Sequence, residues 1–257
     1  MKRLMLLFGA CCLVMVVGGC GSDDKKSTTT TSTSQAGSAD GTSTLPQGSD
    51  PVTLDPADFT TNIDNPYFPL SPGSKWLYHE DEGDSVQNVN VTVTNATKKV
   101  QGITARVIKD VVKNSKDGSL VEVTDDWYAQ DSAGNVWYLG EDTKEYENNK
   151  VSSTKGSWEH GVDGAYAGII MPAKPQVGQT YRQEYYKGEA EDQAEVLSVD
   201  AKVKVPEGSF DNAVRTKDFT TLDPEAAENK YYAKGVGLVL TVALSSGGRE
   251  ELQSFTR

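Results

Sequence analysis

Val89, Val91 and Val93 alternate with Asn88, Asn90 and Thr92. A period of two puts successive side chains on opposite faces of a strand, one face buried and the other solvated, as in antiparallel sheets. Trp76-Leu77-Tyr78 and the β-branched run over residues 103–112 read as further strands. Residues 126–141, DWYAQDSAGNVWYLGE, predict a β-hairpin: two aromatic-rich arms flank Gly134-Asn135, residues that tolerate positive φ. No long stretch carries the 3.6-residue period of an amphipathic helix. DPEAAEN at 223–229 predicts at most one short turn opened by Pro224. The expected fold is mostly β, an antiparallel meander.

The pattern also repeats. Gly73-Ser74-Lys75-Trp76 faces Gly178-Gln179-Thr180-Tyr181, and Val107-Ile108-Lys109-Asp110 faces Arg215-Thr216-Lys217-Asp218. Trp127-Tyr128-Ala129 faces Tyr231-Tyr232-Ala233, and Gly134-Asn135-Val136 faces Gly237-Leu238-Val239. The matches keep one order at an offset of about 105 residues. Two units follow, about 72–141 and 177–257, with residues 142–176 inserted between them. Each unit is too small for a robust core alone, so the two are expected to pack as one curved sheet, half-barrel or barrel. The insertion, with Trp158 and the run GVDGAYAG, is expected to cover an open sheet end or line a mouth.

The N-terminus changes the picture most. Lys2 and Arg3 precede an apolar run at 4–17 that is too short to span a bilayer comfortably. The run ends in Val17-Gly18-Gly19-Cys20, which resembles the lipobox of bacterial lipoproteins. That resemblance implies removal of a signal peptide at 1–19, acylation of Cys20, and attachment to the extracytoplasmic side of a bacterial membrane in the cell envelope. Residues 20–51 are mostly Ser, Thr, Gly, Asp and Lys and read as a flexible tether with a reach of about 30 Å. The folded domain is expected at 52–257.

Cys11, Cys12 and Cys20 are the cysteines of the chain, so the mature domain has no internal disulfide, cysteine nucleophile or thiolate metal site. The formal net charge of −12 becomes about −14 once Lys2 and Arg3 leave with the signal. An acidic chain without basic clusters argues against nucleic acid and anionic lipid surfaces as partners. Lipid attachment leaves the membrane as the expected contact through the N-terminal anchor.

Candidate chemistry is sparse. His79 lies in HEDE, which reads as a solvated acidic turn rather than a metal edge. Glu159, His160 and Asp163 offer residue types for acid–base work in an envelope hydrolase, but no G-x-S-x-G or HExxH accompanies them. Asp131-Ser132-Ala133-Gly134-Asn135 lacks the ligand spacing of a calcium loop and reads as a turn. Glu189, Glu191, Asp192 and Glu195 read as the solvated face and start of a strand. No catalytic residue, metal site or cofactor is expected.

Aromatic residues remain. A pair such as Trp127-Tyr128 puts one ring on each sheet face. The outer ring is either a ligand or partner surface or a cross-strand pair stabilising the sheet. Trp127, Tyr128, Trp137, Trp158, His160, Tyr185 and Tyr232 are the candidate surface. The expected function is a non-enzymatic, membrane-anchored binding module for an apolar ligand or another envelope protein, or else a structural lipoprotein without a small ligand.

Four segments carry a wider resemblance: DNPYFPL at 64–70, WYAQDSAGNVWYLGED at 127–142, GIIMP at 168–172 and YYAKGVGLV at 231–239. Together they resemble a group of bacterial exported proteins and lipoproteins of unknown function, and the resemblance brings no activity with it.

Overall fold

The alternating valines lie in a strand that is one stave of a nearly closed barrel. The computed structural model describes residues 45–257. The expected signal peptide at 1–19, Cys20 and most of the expected tether at 20–51 lie outside the described residues. The strands are β1 (Phe59–Thr60), β2 (Lys75–Asp81), β3 (Val86–Val100), β4 (Ile103–Asn114), β5 (Leu120–Asp131), β6 (Val136–Glu147), β7 (Lys150–Ser153), β8 (Trp158–Glu159), β9 (Tyr166–Met171), β10 (Thr180–Arg182), β11 (Glu184–Tyr185), β12 (Asp192–Val205), β13 (Gly208–Thr220), β14 (Glu228–Ala233), β15 (Gly237–Ala243) and β16 (Arg249–Thr256). The fold is mostly β, and the described helix is two 3₁₀ turns, Pro56–Asp58 and Pro224–Ala226. The second is the turn expected at Pro224.

The barrel wall runs β10-β12-β13-β14-β15-β16-β2-β3-β4-β5-β6-β9-β11, and all its pairings are antiparallel. Its two ends are consecutive in sequence. β10 bonds to β12 while β11 bonds to β9, so residues 180–185 cross the seam as one segment. Gly168 permits this approach: a Cβ there would collide with the carbonyls of Arg182 and Gln183.

Residues 142–176 do not form a cover. They add β7, β8 and β9 beside β6, with Trp158 opposite Glu141 and Ile169 opposite Trp137. The aromatic and β-branched residues of the insertion complete the wall near the seam because β6 would otherwise be a long open edge.

The domain also starts earlier than residue 52. Pro46 is buried and Leu45 packs on the core. The fully buried Arg182 holds this segment: its backbone N–H donates to the Pro46 carbonyl at 2.7 Å, and Nη1 donates to Gly48 and Asp50 carbonyls at 2.9 and 2.7 Å. Nη2 reaches across to the Ala167 carbonyl at 2.8 Å. One side chain therefore ties the start of the domain to β9 and β10.

The two units use the same register twice. In the first, Asp110 faces Thr124 and Ile108 faces Asp126 between β4 and β5, and Asp126 faces Glu141 on β6. In the second, Asp218 faces Glu228 and Thr216 faces Lys230 between β13 and β14, and Lys230 faces Thr241 on β15. A register shift falls between Trp127 and Tyr128 in one and between Tyr231 and Tyr232 in the other.

The proline-rich lead-in closes one end of the barrel. Ile63, Phe68 and Leu70 are buried, and Phe68 packs against Tyr128 and Tyr232 at 5.5 and 6.2 Å between ring centroids. Gln130 Oε1 fixes the lead-in by accepting from the backbone N–H groups of Asp64 and Asn65 at 3.0 and 2.9 Å. Beneath this plug, Trp76, Tyr78, Val91, Ile108 and Leu238 leave an apolar cavity of only about 20 Å³.

Candidate functional site

The inward faces of the strands change character along the barrel. On β2 the inward sequence is Trp76, Tyr78, Glu80; on β5 it is Tyr128, Asp126, Thr124, Glu122; on β14 it is Tyr232, Lys230, Glu228. Beyond the apolar half, the lumen is therefore ringed by buried carboxylates. The ring continues with Asp110 on β4, Glu141 on β6, Glu184 on β11, Asp192 on β12, Asp218 on β13 and Glu250 on β16. Glu80 faces Glu250, Asp126 faces Glu141 and Asp218 faces Glu228 directly across strand pairs. Like charges placed opposite each other destabilise a sheet, and burying them costs more. A fold that keeps such a ring does so against its own stability, which is a mark of functional sites.

Electrostatics follow from burial. Desolvation raises Asp126 to about 8, against a bond from the Tyr138 hydroxyl to Oδ1 at 2.7 Å. It raises Glu122 to about 7, with Thr124 donating to it at 3.0 Å. Burial lifts Asp110 well above the carboxylate range, and Asp126, Glu122 and Glu80 push it further. Glu141, Glu184 and Glu250 are raised in the same way, first by burial and then by neighbouring carboxylates. At pH 7 Asp126, raised to about 8, favours its protonated form, and Glu122, at about 7, is evenly poised.

The other arc contains its own cation. Lys230, 5% exposed, sits 2.9 Å from Glu228 Oε1 and 3.3 Å from Asp218 Oδ2. Burial alone would lower its pKa, but Glu228 and Asp218 outweigh that and hold it well above the usual lysine value. Glu228 rises only to about 7 and Asp192 to about 6, since burial is opposed by Lys230. Arg182 is the other buried cation among the described residues, and it donates to carbonyls rather than carboxylates.

Polar groups are left over in the ring. Neither carboxylate oxygen of Asp110 closes a full hydrogen bond among the described residues, although the nearby Val111 backbone N–H offsets part of the rise in its pKa. The hydroxyls of Tyr128 and Tyr181, each 1% exposed, close none either. Tyr128 lies within the field of Asp126, Glu141 and Glu184, which with burial raise its own pKa. Buried polar groups are nearly always bonded, so these point to a missing partner. At the seam a surface cleft of about 360 Å³ is lined by Arg182, Glu184, Tyr185, Gln193 and residues 48–49. Among the described residues, no His/Cys/Asp/Glu group is arranged to hold a metal ion.

The sequence-derived surface residues are dispersed. Tyr128, Trp158 and Tyr232 join the lumen: Tyr128 stacks on Tyr138 at 4.8 Å and Trp158 meets Tyr138 edge-on at 5.3 Å. Trp127 and Trp137 lie on the outer face but are covered, Trp127 by Lys98 at 3.4 Å and Trp137 by Phe59 at 6.1 Å. Tyr185 is half-buried at the seam, stacked on Tyr166 at 6.0 Å. His160 is buried, and its Nδ1 accepts from the Ala167 N–H at 3.2 Å, so the ring is a neutral wall element; burial and Arg182 lower its pKa. Glu159 pairs with Lys98 at 2.8 Å and Asp163 is exposed, so the Glu/His/Asp set has three separate engagements. Asp131 is saturated within its own turn by Asn135 and the Trp137 indole.

Two acidic stretches differ from expectation. Glu80 of HEDE and Asp192 are buried on strands rather than solvated. The signal that finds them is a carboxylate spaced by two from lumen aromatics or apolar residues, as in Tyr78/Glu80 and Asp192/Ala194. Comparison with family models, curated proteins and solved structures finds no match to this chain.

Proposed function

We propose that the chain is a membrane-anchored envelope lipoprotein and a non-enzymatic binding module, with a small organic cation held in the barrel as its ligand. The observation that supports this reading is the buried carboxylate ring, in which, among the described residues, the Asp110 carboxylate and the Tyr128 hydroxyl close no hydrogen bond and the two buried cations, Lys230 and Arg182, are engaged elsewhere. A cation there would offset the desolvation of Asp110 and Tyr128. Among the described residues, exposed large apolar side chains such as Leu77, Val151, Val177 and Leu244 come from separate segments and form no stripe along one strand.

Calorimetric titration of the Cys20→Ser chain with butylammonium and with 1-butanol tests the reading. Saturable binding of the ammonium, at least about tenfold tighter than the alcohol, is the expected result. Equal binding of both would favour an apolar ligand, and binding of neither would remove the small-ligand reading. The anchor has its own test. Cys20→Ser is expected to abolish palmitate labelling and move the protein to the soluble fraction; unchanged membrane recovery would contradict lipidation at Cys20.

A further inference from the structure

The two units are laid out in one register, and their central charged position differs in sign. Asp110 corresponds to Asp218, Thr124 to Glu228, Ile108 to Thr216 and Glu141 to Thr241, by the pairings of β4–β6 and β13–β15. At the centre of each set stands Asp126 in the first unit and Lys230 in the second. Lys230 places its ammonium against Asp218. Asp110, the counterpart of Asp218, carries two oxygens that close no full hydrogen bond among the described residues, and Asp126 is the carboxylate that perturbs it most.

The geometry points to an ammonium-binding subsite between Asp110 and Asp126, the first-unit counterpart of the place Lys230 Nζ fills in the second unit. The subsite takes a primary ammonium from the ligand, and this assignment rests on the binding-module reading above. Three features suit a primary ammonium. It has three donors; Asp110 offers two oxygens that close no full hydrogen bond among the described residues, and Asp126 has one carboxylate oxygen besides the one bonded to Tyr138. The Tyr128 hydroxyl, 1% exposed and unpartnered among the described residues, lies beside Asp126 as a further acceptor. The second unit demonstrates that this register accommodates an ammonium between opposed strands, 3.3 Å from the corresponding aspartate. The protons displaced from the carboxylates leave to solvent, so charge balances without any other ion.

Asp126→Lys tests the assignment because it supplies the ammonium from the chain itself, as Lys230 does. Asp126→Asn removes the charge and supplies no ammonium. The subsite predicts that Asp126→Lys melts about 5 °C or more above Asp126→Asn at pH 7.5, and binds butylammonium about 100-fold more weakly than the unsubstituted ring. Asp110→Asn, which keeps the shape of the side chain, is expected to weaken binding about tenfold. An Asp126→Lys chain that melts below Asp126→Asn or fails to fold, or one that binds butylammonium as tightly as before, overturns the subsite. No butylammonium binding to the unsubstituted ring, together with a stabilised Asp126→Lys chain, overturns the binding-module reading and leaves the ammonium position standing.

Discussion

Replacing Lys230 with Met is expected to destabilise the protein by about 3–5 kcal/mol at pH 7.5, the range for removing one partner of a buried ion pair. Met matches the lysine stem in length, so packing is kept while the charge is lost. Asp218 and Glu228 then face each other across β13 and β14 with no cation between them, and Asp192 and Glu250 also lose its field. Urea unfolding is the measurement. The loss is expected to shrink at pH 5, where Glu228 and its neighbours take up protons instead. An equal loss at both pH values would mean that Lys230 acts through its stem and that the charge balance of the ring is unimportant.

Stability of the unsubstituted chain is expected to fall as pH rises from 5 to 8, opposite to the usual behaviour of paired carboxylates. Folded values of about 6 for Asp192, about 7 for Glu122 and Glu228, and about 8 for Asp126 lie above the ordinary values of 3.8 and 4.5. Between those limits the folded chain binds more protons than the unfolded one. The contribution is therefore complete below about pH 4 and is lost as pH passes through 6–8. For Glu122 alone, a rise from 4.5 to about 7 corresponds to roughly 3 kcal/mol lost above pH 8. Thermal melts at pH 5 and pH 8 check the sign. A higher melting temperature at pH 8 would show that the ring is stabilised in its ionised form and holds no protons at neutrality.

The hairpin at 126–141 was legible because its turn chemistry is local. Asp131, Gly134 and Asn135 form a self-contained turn, and Gly134 adopts φ +95°. The strict alternation over residues 88–93 likewise showed which face of β3 is buried. The acidic ring was not legible in the same way, for a physical reason. A carboxylate in a strand is read as solvated unless something distant covers it. Glu80, Asp110 and Asp126 are buried because the sheet curls into a nearly closed barrel, with residues 180–185 joining β9 and β12, a closure set by distant pairings and by Gly168 rather than by any local pattern. The repeat held the missing clue. Asp126 and Lys230 occupy matched positions, and a sign reversal at a repeated inward site is informative only once the inward face is known. The aromatics misled for a related reason: Trp127 and Trp137 lie on the outer face as alternation requires, but Lys98 and Phe59 cover them.

The central claim is that the lumen exchanges protons for a cation. Calorimetry of butylammonium binding to the Cys20→Ser chain at pH 7, repeated in buffers of different ionisation enthalpy, measures that exchange directly. The account predicts net release of about one proton per ammonium bound, since Asp126, raised to about 8, ionises as the cation arrives. Binding with no buffer dependence, or with proton uptake, would contradict it.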